Sequence, residues 1–101
     1  MAEQAFPKPR RLADRAAVAA FARFHRRCAV RYCRYVAHPH HIRPKSLGGP
    51  DAPENLIPLC PRHHTGDLGP HQLGHVAWFE RFGNMLSDDD AAKVRAALRL
   101  G

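Results

Sequence analysis

Large apolar side chains are in short supply in this chain. Hydrophobic residues make up 45% of its 101 positions, but 16 of them are alanine, and aromatics supply only 8%. A domain of this length buries only about two thirds of its unfolded surface, so a core this light needs a further staple, and a bound metal is one. Cysteine is scarce too. Three cannot pair off, which argues against a disulfide framework and for a reducing compartment. No apolar run approaches the roughly 20 residues of a membrane span. The N-terminal stretch, with Pro7 and Pro9 among polar residues, has no apolar signal-peptide core. These absences together predict a cytoplasmic, non-membrane, single-domain protein whose staple is a metal.

Acidic residues are the other deficit. Nine Asp and Glu stand against 16 Lys and Arg, 13 of them Arg, for a net charge of +7. A surface of this sign favours polyanions, and guanidinium groups suit bidentate contact with phosphate.

Residues 1–11 read as a flexible arm. Over 12–27 the pattern is that of a basic helix, with Asp14 as N-cap, Val18, Phe21, Ala22 and His25 on one side and Arg15, Arg23, Arg26 and Arg27 polar. Residues 28–42, with Val30, Tyr32, Tyr35, Val36 and Ile42, read as short strand and turn. Residues 43–54 form a loop punctuated by Pro44, Gly48-Gly49-Pro50 and Pro53, and Leu56-Ile57-Pro58-Leu59 has strand length, its proline marking an edge. One or two helical turns over 62–67, a helix over 71–82 stopped by Gly83, and an Ala-rich helix headed by Ser87 complete the order.

The chemistry-bearing residues fall into two sets. Cys28-x4-Cys33 and, 26 residues later, Cys60-x2-His63 form two metal knuckles, which together offer four N/S ligands to a tetrahedral structural zinc. The alternative, three unrelated thiols, leaves the light core without a staple. The second set is His40-His41-Ile42, then Asn55, then His64.

The stretch His40-His41-Ile42-Arg43-Pro44-Lys45-Ser46-Leu47-Gly48-Gly49, followed by Glu54-Asn55-Leu56-Ile57-Pro58-Leu59-Cys60 and His63-His64, resembles the HNH endonucleases, in particular small stand-alone phage-like ones. The resemblance covers about residues 28–83. One departure is His63, which stands where many members have a second cysteine. The resemblance implies an α+β fold: a small ββα-metal (His-Me finger) core with a structural zinc and flanking short helices. The division is then a nuclease domain over 28–83, with a C-terminal helix over 84–101 packed on the same domain.

The implied activity is hydrolysis of DNA phosphodiester bonds to 5′-phosphate and 3′-hydroxyl ends. On this resemblance His41 is the general base, a role that an imidazole with an ordinary pKa of about 6.5 suits. Asn55 orients the loop by backbone hydrogen bonds, and His40 and His64 hold one catalytic divalent cation: Mg²⁺, Mn²⁺, Ni²⁺ or Zn²⁺. The family's further ligand, a His four residues after the first, is replaced by Leu68 here. His71 is the preferred substitute and Asp67 the alternative; a helical pair of His71 with His75 ranks lower. Arg43, Lys45, Arg23 and Arg27 are candidates for DNA contact. One such site cuts one strand, so double-strand cleavage calls for a homodimer, a protein partner or two successive nicks. The competing reading is a zinc-stapled DNA-binding module without catalysis; a third, a structural zinc domain for a protein partner, leaves His40, His41 and Asn55 without a purpose.

Overall fold

The computed structural model describes residues 13–33 and 35–99; the arm expected over 1–11 lies outside them. The first helix, α1 (Arg15–Phe24), begins where Asp14 accepts the Ala17 N–H at 3.1 Å. It is shorter than the pattern predicts. The His25 N–H closes the last turn on the Phe21 carbonyl, and its ring stacks on Phe21 at 4.2 Å. Arg27 already lies beyond the helix, in an isolated bridge with Val36.

Between those two bridge residues the expected strand is a tight loop instead. The Cys28 N–H reaches the Tyr35 carbonyl, the Cys33 N–H reaches Val30, and Tyr32 has a left-handed φ of 69°. The β-formers here are overruled by the need to turn two cysteines inward, a contextual override usual for strand propensity.

Strand β1 (His38–His41) pairs antiparallel with β2 (Leu56–Leu59), setting His38 opposite Leu59 and His41 opposite Leu56. A two-stranded sheet is marginal by itself, and this one survives by being covered. All four residues of β2 are buried, and the Lys93 ammonium caps the Leu56 carbonyl at 3.1 Å. The Pro58 carbonyl accepts the Ala29 N–H at 2.8 Å, which ties the loop after α1 to β2.

Helix α2 (Pro61–His64) follows β2 directly. The helix expected over 71–82 is split into α3 (Pro70–Leu73) and α4 (His75–Phe82) by Gly74. With φ +85°, Gly74 ends one helix and starts the next: its N–H bonds Pro70 and its carbonyl accepts from Trp78. Gly83 continues into a 3-10 turn, Gly83–Met85, rather than stopping the chain. Ser87 then caps α5 (Asp88–Leu98) through the Asp90 N–H at 3.1 Å, and three aspartates in its first turn complement the helix dipole.

Ile57 and Leu59 of β2 meet Trp78, Phe82, Leu86 and Val94 in one core, with Val30 and Ile42 beside them. The result is a small α+β fold: one two-stranded sheet, short helices around it, and a Cys/His cluster at the start of α2. Among the described residues no helix is long and apolar enough to cross a membrane.

Candidate functional site

Cys28, Cys33, Cys60 and His63 converge, with their four donor atoms within 4.8 Å of one another. Cys28 Sγ lies 3.6 Å from His63 Nδ1, Cys60 Sγ lies 3.3 Å from the same nitrogen, and Cys33 Sγ lies 3.6 Å from Cys60 Sγ. Those spacings suit the edges, about 3.5–3.8 Å, of a tetrahedron built on zinc–sulfur and zinc–nitrogen bonds. The thiols are free, so no disulfide competes.

Burial pushes the Cys28 thiol up to about 12, and burial likewise keeps His63 neutral by lowering its pKa. At Cys60 burial also opposes the thiolate, but the His63 backbone N–H and the Cys33 and Cys28 side chains outweigh it and lower the thiol. Three cysteine sulfurs and an imidazole held neutral by burial are a donor set compatible with structural zinc.

The second cluster lies where β1, α2 and α3 meet. His40, His64 and His71 each point one ring nitrogen to within 4.8 Å of the others. The ring centroids of His40 stand 4.8 Å from His64 and 5.2 Å from His71. His40 is buried and its Nε2 has no hydrogen-bond partner. An orphaned nitrogen of this kind, facing two other imidazoles, is what a metal ligand looks like without its metal. Burial first, then the neighbouring His64, His75 and His71, push His40 down to about 3. Burial lowers His64 also, with His71 next. Burial thus favours the neutral form of His40 and His64, the form in which an imidazole nitrogen can bind a metal.

A cleft of about 280 Å³ opens onto these rings, with His41 and Lys45 also on its wall. Asn55 shapes that wall. It is buried, accepts the Arg43 N–H at 2.8 Å, and donates to the carbonyls of Arg43 and Pro50 at 3.0 Å each. Gly49 completes the closure, since a Cβ there would sit 1.7 Å from the Arg43 carbonyl oxygen.

Residues 25–66 match the family model described as HNH endonuclease. The chain carries an HNH domain. HNH domains bind metals and HNH nucleases act on DNA, so a nuclease or DNA-binding function follows at that level. No curated protein and no solved structure matches the chain.

Within the HNH domain and just beyond it, the structure gathers His40, His64 and His71 but not Asp67, which is exposed in the turn after α2 and lies outside the cluster. Leu68, at the position of the missing ligand, packs against the core. His75 stacks on His40 at 5.3 Å with its own Nε2 unpartnered, yet it is not one of the three converging donors. Of the basic candidates, Lys45 is on the cleft wall, Arg43 is anchored beside it by Asn55, and Arg23 and Arg27 are exposed on and after α1, off that wall. Trp78 and Phe82 are core residues rather than stacking platforms.

One residue escaped the sequence reading: Asp51. Its buried carboxylate lies 2.6 Å from His41 Nε2 and also takes the Asp14 backbone N–H at 2.8 Å and the Lys45 ammonium at 3.3 Å. The Asp14 N–H first, then His41 and Lys45, hold it down to about 2. In the sequence Asp51 sits in Gly48-Gly49-Pro50-Asp51, where an aspartate reads as turn chemistry. The available signal was a carboxylate ten positions after a histidine, across a loop that folds back.

Proposed function

We propose that this chain is a divalent-metal-dependent endonuclease that hydrolyses DNA phosphodiester bonds, with His41 as general base and one cation held by His40, His64 and His71. The observation that carries the reading is the convergence of three imidazole nitrogens on a cleft whose wall also bears His41. Bound there, the cation supplies positive charge to the scissile phosphate and to the leaving 3′-oxygen. The protein's own residues do the rest. His41 accepts a proton from the attacking water, the water oxygen bonds to phosphorus, and the bond to the 3′-oxygen breaks. Lys45 and Arg43 hold the phosphate backbone against the cleft by charge, while Asn55 fixes the loop that carries them. An all-imidazole set suits Ni²⁺ or Zn²⁺ better than Mg²⁺ or Mn²⁺, which prefer oxygen ligands.

The test is nicking of supercoiled plasmid by the parent and His41→Ala, with EDTA or each cation in turn. The expected result is metal-dependent nicking by the parent, stronger with Ni²⁺ than with Mg²⁺. Losing the base should cost His41→Ala at least about 100-fold in rate, with an unchanged melting temperature. Plasmid retarded at low salt but uncut by the parent under every cation would replace this reading with the non-catalytic DNA-binding module.

A further inference from the structure

The contact between Asp51 and His41 fixes which ring nitrogen does the chemistry. Asp51 is 4% exposed, and its Oδ2 is occupied by two donors, the Asp14 backbone N–H at 2.8 Å and the Lys45 ammonium at 3.3 Å. A carboxylate so surrounded is ionised, and an ionised carboxylate only accepts hydrogen bonds. The hydrogen in the 2.6 Å contact between its Oδ1 and His41 Nε2 therefore belongs to the imidazole. A neutral imidazole has one N–H. With that hydrogen on Nε2, the lone pair is on Nδ1.

We propose that Asp51 is a positioning residue for His41: its carboxylate holds the imidazole as the Nε2–H tautomer and leaves Nδ1 as the atom that takes the proton of the attacking water. This rests on His41 being the base, as above. The balance is simple. Water gives one proton to Nδ1, its oxygen bonds to phosphorus, the 3′-oxygen leaves with the bonding pair and takes a proton from solvent to become the 3′-hydroxyl, and the imidazolium formed carries its positive charge against the Asp51 carboxylate. A buried acid that selects the tautomer of a base histidine and then stabilises its charged form is an established way to build a catalytic pair. The same carboxylate, through the Asp14 N–H at the head of α1, ties the first helix to the loop that faces the cleft. That gives Asp51 a structural duty which the test must separate from the chemical one.

Long-range proton–nitrogen spectra of the ¹⁵N-labelled, zinc-loaded protein at about pH 8, where an ordinary imidazole is neutral, read the tautomer directly. The His41 signals are assigned by their loss in His41→Ala. The expected result is a protonated Nε2 and an unprotonated Nδ1 in the parent. In Asp51→Asn the amide oxygen keeps the Asp14 N–H while the amide nitrogen donates to Nε2, so the proton moves to Nδ1. Plasmid nicking by Asp51→Asn should lose at least about tenfold in kcat, since a wrong tautomer disables the base; any change in KM reports the freed Lys45 instead. A parent with its proton on Nδ1 overturns the proposal, whether or not DNA is cut. So does an Asp51→Asn variant whose tautomer is unchanged, even if its melting temperature falls, because Asp51 is then only a tie between loop and helix.

Discussion

Cys60→Ala should leave the chain largely unfolded at room temperature, and stripping the zinc-type cluster with a strong chelator should do the same to the parent. Cys60 is 1% exposed at the junction of β2 and α2, and its three partners come from the loop after α1 and from α2 itself. The cluster therefore joins the two ends of the HNH domain across the covered face of the sheet. A structural zinc of this kind contributes on the order of 10 kcal/mol of apparent binding free energy, and a domain this size has a total stability of about 5–15 kcal/mol. The core has little to set against that loss, because much of its apolar count is alanine. Far-ultraviolet circular dichroism with metal analysis checks the result: one tightly held zinc in the parent, none and no cooperative melt in the variant. A Cys60→Ala protein that melts cooperatively at the parent's temperature would show that the core stands without the cluster.

That cluster was legible because its chemistry is local. Cys60 and His63 lie one helical turn apart, and Cys28 and Cys33 bracket a turn that must be tight, so spacing alone pairs them into knuckles. The sheet was legible in its second strand for a similar reason: Leu56 to Leu59 is a short apolar run between turn signals. Its partner β1, His38-Pro39-His40-His41, lies at the far end of the stretch read as strand and turn over 28–42. The residues at the near end, after α1, do not follow their local preference. Val30, Tyr32, Tyr35 and Val36 favour a strand locally, yet inward-facing Cys28 and Cys33 require a turn, and the turn wins.

The Asp51 carboxylate was missed because its partners, Asp14 and His41, are 37 and 10 positions away. A contact of that separation leaves no trace in periodicity. His71 was read as a ligand displaced from its usual helical position; what the sequence did not show is how the chain brings it back.

Gly69 makes that return possible, and Gly69→Ala should cost the catalytic-type site most of its metal affinity while sparing the zinc cluster. After α2 the chain leaves helical geometry at Thr65, turns Leu68 into the core, and re-enters α3 at Pro70 with His71 facing His64. The two short helices approach so closely that a Cβ on Gly69 would lie 2.1 Å from the His64 carbonyl oxygen and 2.4 Å from its carbon. Both are backbone atoms, so the clash cannot be relieved by a rotamer. Space is the reason for glycine here, not dihedral freedom, because the φ of Gly69 is an ordinary −98°. To accommodate the methyl group α3 must shift by an ångström or so away from α2, carrying His71 with it. His40 and His64 are then left as two ligands on a site built for three. Displacements of this kind cost about 10–100-fold in metal affinity or activity. Calorimetric titration of the zinc-loaded protein with Ni²⁺ checks it, with Gln72→Ala, an exposed change on the same helix, as the control. The expected outcome is Ni²⁺ affinity and nicking reduced together in Gly69→Ala, unchanged in Gln72→Ala, and one zinc retained in both. Equal Ni²⁺ affinity in Gly69→Ala and the parent would mean that His71 is not a ligand, and the third position would then belong to another donor or to water.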